Sequence, residues 1–311
     1  MSLSALSKLG IGIETSWGAG ADPQINLPVE PYNLMFSFEN TVDQSLRGEV
    51  ALDFGIYQGV YSATGEISGH IFPDEVGYIL SGFFGGPSTT GTQTPYEHTF
   101  TVEETPYSLA LTDYVPGINT YQYVGMYVSE FGFSFSSSEG LLDFTSSLSG
   151  KMYSTSTATV PAATADDAFS GWMAAIIKGS DTQYANLIEF EANLARELTL
   201  VYTATNTQVV HEVYVGPMEA SGTMTLDFKT EADLTAYLNN TSELLEVDFV
   251  NSTKEFKFIA NKMNYGDSAP EIDRSNVNLQ LVLNWRALHN STDSGPCQIV
   301  VANGTSSYTS S

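Results

Sequence analysis

YNLMFSFEN, residues 32–40, alternates apolar and polar side chains, and YANLIEFEAN, residues 184–193, nearly repeats it. Successive side chains of a strand point to opposite faces. Leu34, Phe36 and Phe38 therefore share one face, with Met35, Ser37 and Glu39 on the other. In the second stretch Ile188, Phe190 and Ala192 line one face, opposite Leu187, Glu189, Glu191 and Asn193. Each stretch reads as a strand with an apolar side on a core and an acidic side turned away from it.

The same rhythm continues outward. Alternating, β-branched or aromatic runs occur at 61–72, 98–102, 108–111, 121–136, 142–148, 172–177, 188–203, 209–215, 221–228, 243–250, 255–259 and 277–285, divided by Ser, Thr, Gly and Asn clusters. That spacing predicts a mainly β protein of the sandwich or barrel type. Helical signals are few. PDEVGYILSGFF (73–84) opens with Pro73 and two acids and stops at Gly85-Gly86-Pro87. TEADLTAYL (230–238) offers Thr230 as N-cap and Asp233 three positions on.

The echo extends into a repeat. Asn33-Leu34 matches Asn186-Leu187 at an offset of 153, and TGEISGHIF (64–72) matches SGTMTLDFK (221–229) at 157, Gly65 on Gly222. In both copies that strand runs directly into the short helix. SLAL (108–111) then matches EVDF (246–249), EFGF (130–133) matches EFKF (255–258), and LLDFTSSLSG (141–150) answers LQLVLNWRA (279–287). One such match is weak; the series in one order predicts internal duplication. The expected division is an N-terminal arm (1–31), a first β domain (32–153), a low-complexity linker (154–167), a second β domain (168–289) and a C-terminal tail (290–311), each domain with a short flanking helix. Residues 11–31, rich in Gly and Pro, lack strand periodicity and are expected to reach a neighbouring ring of copies, an inter-ring contact segment. Two kindred units carry kindred edges, and a heterologous edge-to-edge contact closes into a ring when the rotation allows. Three two-unit chains would give a trimeric ring of sixfold pseudo-symmetry.

Composition narrows the function. Across 311 residues, 36 acids face 11 bases, for a formal charge of −25. Such a chain repels nucleic acid and anionic membranes. This is consistent with a salt or solubility adaptation, or with a surface that faces DNA without holding it. No apolar run approaches the ~18 residues of a membrane span, and the opening MSLSALSKLGIGIETSW, with one Lys and no long apolar core, predicts no cleaved signal. The single Cys297 excludes an intrachain disulfide framework.

Nothing points to catalysis, a cofactor or a metal. His70, His98, His211 and His289 are scattered, without a pair at metal-ligand spacing, and Cys297 has no His nearby in sequence. GAGAD (18–22) lacks the Lys of a phosphate-binding loop, and TADDAF (164–169) is too short for a calcium loop. Acidic pairs are guaranteed by 36 acids and carry little information. The aromatic content suggests a second reading, a secreted or surface carbohydrate-binding or adhesive β-sandwich. Phe131, Phe133 and Phe135 fall at alternate positions, however, the pattern of a core face. Asn-x-Ser/Thr sequons at Asn239, Asn240, Asn251, Asn290 and Asn303 give that reading weak support.

GIETSWGAGADPQINLP (12–28), YSATGEISGHIFPDEVGYILSGFFGG (61–86), YEHTF (96–100) and AFSGWMAAIIKG (168–179) resemble one family of phage tail tube proteins. The resemblance runs over residues 10 to 290 on short structural motifs. It implies tandem tail-tube-type β-sandwich or barrel domains, a homo-oligomer of stacked rings, other tail proteins at the tube ends, and a channel that DNA transits without specific binding. It also implies a location in the virion tail after synthesis in the host cytoplasm, with no membrane binding by the chain itself. On that reading Glu39, Glu189 and Glu191 face the lumen. Residues after 290 fall outside the resemblance and read as a contact tail or a solvated end.

Overall fold

The computed structural model describes residues 4–310 apart from 139, 165–166, 182, 267–269 and 276. The first half runs β1 (Lys8–Ile13), β2 (Ile25–Leu27), β3 (Asn33–Asp43), β4 (Gly55–His70), α1 (Pro73–Phe83), β5 (Ser88–Thr90), β6 (Tyr96–Phe100), β7 (Leu109–Val115), β8 (Asn119–Ser136), β9 (Asp143–Gly150) and β10 (Met152–Ser156). The second runs β11 (Ala174–Lys178), β12 (Leu187–Val201), β13 (Glu212–Asp227), α2 (Ala232–Leu238), β14 (Glu243–Asn251), β15 (Lys254–Tyr265), β16 (Glu271–Asp273), β17 (Gln280–Ala287) and β18 (Gln298–Asn303). The fold is mainly β and its sheet ladders are antiparallel.

The ladders of one half recur in the other. β3–β4, β4–β9, β9–β8, β8–β7, β7–β1 and β8–β10 pair in the first. β12–β13, β13–β17, β17–β15, β15–β14, β14–β11 and β15–β18 repeat them. Irregularities recur as well. The β3–β4 register shifts between Phe38 and Asn40, opposite Tyr61 and Gln58, and the β12–β13 register between Arg196 and Leu198, opposite Met218 and Val215. Gly65 sits between Leu34 and Leu148, and Gly222 between Ala192 and Trp285, so those glycines correspond as the sequence match has it.

The opening echo is corrected. The rungs set Leu34 on Ala192 and Glu39 on Glu197, an offset of 158 rather than 153. The string match at 153 lays Phe36 on Glu189, residues from opposite faces, and an odd slip always does so because the side-chain period is two. The EFGF match is likewise out of register: Phe133 pairs Phe144 of β9, the rung that Ile272 and Leu281 occupy in the second half.

Antiparallel pairing of β8 with β12, Phe133 opposite Ala192, joins the halves into one row, β3–β4–β9–β8–β12–β13–β17–β16. Beneath it lies one continuous core. The Phe133 ring centroid is 5.8 Å from Phe190 and 5.4 Å from Phe258, and Phe190 stacks on Trp285 at 5.4 Å.

Both ends depart from expectation. β1 pairs β7 and β2, with Leu9, Ile11 and Ile13 buried and Gly10 and Gly12 between them. A Cβ on Gly12 would lie 2.5 Å from the Asp22 carbonyl, so the glycines admit the returning 21–24 segment. Glycine is neither apolar nor polar, which hides the strand period. The 290–311 tail is neither free nor solvated throughout: β18 pairs both β15 and β6. Tyr308 is buried against Tyr78 and His98, at 5.0 and 4.7 Å between ring centroids. Of the linker, Ser154–Ser156 belong to β10, Val160 is buried, and 165–166 lie outside the described residues.

α1 begins with Pro73, carries Asp74 and Glu75 in its first turn and ends before Gly85 at φ +115°. α2 begins after Glu231 without a side-chain cap. Asp233, expected to serve the cap of Thr230, turns inward and accepts from Lys178 Nζ at 2.6 Å and Tyr184 Oη at 2.9 Å.

Candidate functional site

The outward face of the eight-strand row is the broadest sheet surface that the pairing of the two halves creates. Alternation puts Leu34, Ile67, Phe144, Phe133, Phe190, Met224 and Leu283 beneath it and leaves the intervening positions outside. Across the row these are Asn33, Met35 and Ser37 on β3; Glu66, Ser68 and His70 on β4; Asp143, Thr145 and Ser147 on β9. β8 adds Glu130 and Ser134, β12 adds Glu189, Glu191 and Asn193, β13 adds Ser221, Thr223 and Thr225, and β16 adds Glu271 and Asp273. Carboxylates stand among short hydroxyls; of the described residues on these strands, His70 and Arg286 are the basic groups on the outward side, and Arg196 of β12 is buried beneath it.

Local bonds hold several of the acids in place. His70 Nδ1 lies 2.5 Å from Asp143 Oδ1, and Asn193 Nδ2 donates to Glu130 Oε1 at 2.6 Å. Thr223 and Thr225 on β13 donate to Glu191 and Glu189, each at 3.4 Å. The face is shallow: a cleft of about 310 Å³ over β8, β12 and β13 is lined by Ser134, Glu189, Glu191, Thr223 and Thr225. It offers acceptors to water and cations and no apolar cage for an organic ligand.

Of the three acids singled out from sequence, Glu189 and Glu191 sit at the centre of this face beside the β8–β12 junction. Glu39 is exposed at the far end of edge strand β3, on the bulge, where its counterpart is Glu197. The structure brings the first two together and leaves the third apart. Glu66, Glu130 and Asp143 escaped sequence reasoning. Their signal was the outward phase of TGEISGH, SEFGFS and LLDFTSS, legible once those strands are placed side by side.

His98, Cys297 and Lys178 are tied into the core, whereas His211 and His289 are exposed. His98 Nε2 donates to the Thr305 carbonyl at 2.8 Å, which leaves Nδ1 to accept from Thr89 Oγ1 at 2.8 Å, and burial pulls its pKa down toward a neutral ring. Cys297 is fully buried, and loss of solvent pushes its thiol well up. Lys178 is held by Asp233 at 2.6 Å and Glu243 at 2.9 Å; against the cost of burial, Tyr265 and Asp233 keep it charged. Among the described residues no group of three or more His, Cys, Asp or Glu is placed to hold a metal ion, and no helix is long and apolar enough to cross a membrane.

A broad hydroxyl-and-carboxylate wall on a continuous antiparallel sheet, with His98 and Cys297 bound up in packing, defines a mainly β protein. A model of the phage tail tube protein family matches residues 4–287, and the chain belongs to that family. No curated protein matches it. A tail tube protein is a component of the virion tail that assembles into a tube, and this membership selects the structural reading over the adhesive one.

Proposed function

We propose that three copies close into a ring, that rings stack into a tube, and that the hydroxyl-and-carboxylate face lines a bore through which phage DNA passes unbound. The observation that carries this is the β8–β12 junction. Within the chain, the second half adds its first wall strand to the last wall strand of the first half. At the ends of the row, β3 pairs only β4 and β16 only β17 among the described residues, leaving the matching edges open. A heterologous pairing of β16 on one copy with β3 on the next repeats the internal joint and propagates into a ring. Gly132, Phe133 and Ser134 face Asn193, Ala192 and Glu191. The corresponding rungs between copies are Glu271 with Met35, Ile272 with Leu34, and Asp273 with Asn33.

Size favours three copies. Eight strands at about 4.8 Å each give roughly 38 Å of wall per chain. Two chains would leave about 24 Å between facing backbones, a gap that side chains largely fill, whereas three leave about 37 Å. Two similar units per chain then give sixfold pseudo-symmetry. Glu189, Glu191 and Glu39, with Glu66, Glu130 and Asp143, would ring the bore. The Debye length is about 8 Å at physiological salt, so only such lining carboxylates act on a passing duplex.

The test is an Asn33→Cys, Asp273→Cys double variant, oxidised after assembly and examined by electron microscopy and denaturing gels. Hollow tubes that yield closed covalent trimers are expected. Discrete monomers, or tubes whose cysteines link within one chain, would sink the reading.

A further inference from the structure

The β12–β13 hairpin (202–211) folds back over the first half and seats on the bulge of β4. Tyr61 N–H donates to the Gln208 carbonyl at 3.0 Å, Gln208 Nε2 donates to the carbonyls of Gln58 and Gly59 at 3.1 and 2.9 Å, and Tyr61 bridges Val209. Val210 is wholly buried there.

Its counterpart by rung, the β3–β4 hairpin (44–54), touches no such seat among the described residues. Leu46 and Val50 are fully exposed, and Leu52 and Ile56 are about 70% exposed. Exposed apolar residues gathered on one hairpin mark an interaction site. The seat that corresponds to the β4 bulge is the β13 bulge at Val215–Met218, which opens as a groove of about 580 Å³ lined by Val102, Pro217, Met218, Ala220, Leu288 and Pro296.

Building on the tube reading above, we infer that the 44–54 hairpin of one copy seats in the β13 groove of the next, as the 202–211 hairpin seats on β4 within a chain. Leu52 would meet Met218 as Val209 meets Tyr61.

The polar groups fit this occupant. On β4 the Gly59 carbonyl takes its bond from Gln208 of the incoming hairpin, and Phe38 is the residue beneath. On β13, Arg196 stands at the Phe38 position and its own Nε donates to the Gly216 carbonyl at 3.0 Å. That groove needs no incoming amide, and where the first hairpin brings Gln208 the second brings Val50-Ala51-Leu52. The same geometry ties this contact to the ring neighbour: the copy whose β3 extends β16 carries its hairpin toward β13, one strand beyond β17.

Leu52→Cys with Met218→Cys tests it in the full chain, with each single variant as control. Tubes of the double variant are expected to give covalent trimers on oxidation and the single variants none. Leu52→Asp is expected to raise the critical concentration for assembly at least tenfold while leaving the monomer's melt unchanged. Tubes that form without the crosslink, or an unchanged critical concentration, overturn the hairpin contact and leave the tube assignment standing. A wild-type chain that makes no tube overturns both, and success of the Asn33–Asp273 crosslink alone isolates the failure to the hairpin.

Discussion

Ile11 of β1 and Leu109 of β7 are wholly buried near the top of the first half. At the matching rungs of the second half stand Lys178 and Glu243, with Nζ and Oε2 2.9 Å apart. The ladders around them are alike, including a register shift between Leu109 and Leu111 that recurs between Glu243 and Leu245. The difference shows that a ladder sets where a residue points and leaves its chemistry open, provided a buried charge finds enough partners. It also accounts for the unequal helices. α1 is buried along nearly its whole length, with Tyr308 closing over Gly77, whereas α2 buries chiefly Asp233, the residue that neutralises Lys178.

Three changes probe that comparison. The strongest is truncation after Pro296. β18 is the counterpart of β10, but among the described residues β10 pairs only β8 whereas β18 spans both halves and leads to Tyr308. The truncated chain is expected to lose cooperative urea unfolding altogether; a sharp transition near the wild-type midpoint would show that the halves are held without it. Next comes Lys178→Met, which strands Asp233 and Glu243 beside an apolar chain and should cost about 3–5 kcal/mol in denaturant titrations. A cost under 1 kcal/mol would mean that the second half tolerates the first half's apolar solution as it stands.

The smallest effect concerns Asp248, whose counterpart in the first half is the uncharged Tyr114. Burial, reinforced by Glu255 and opposed by Lys257, raises its carboxyl to about 6. A folded-state pKa above the unfolded value of about 3.9 means that the native state binds the proton more tightly. Its contribution to stability is therefore present at low pH and lost as pH rises through about 6. Asp248→Asn is expected to raise the thermal midpoint at pH 7 by a few degrees, with a smaller gain at pH 5. An equal shift at both values would assign the effect to something other than titration.

Much of this was legible in the chain. The strand alternation of residues 34–38 and 188–192, the Pro73 start and glycine stop of α1, and the outward phase of Glu189 and Glu191 all follow from local rules. The register of the repeat did not, because alternating strings match at many offsets and only cross-strand partners separate an even slip from an odd one. β1 was hidden by Gly10 and Gly12, and α2 lost its cap because Asp233 is drawn to Lys178 from a distant strand. Glu66, Glu130 and Asp143 join Glu189 only through non-local pairing, which no short window contains.

The seclusion of Cys297 has a practical corollary. Since the chain's sole native sulfhydryl is sealed inside and slow to ionise, any cysteine placed on the wall or the hairpin becomes a unique chemical handle. Fluorophores, spin labels or heavy atoms can then be stationed at one chosen height in every ring without first stripping the protein of background reactivity.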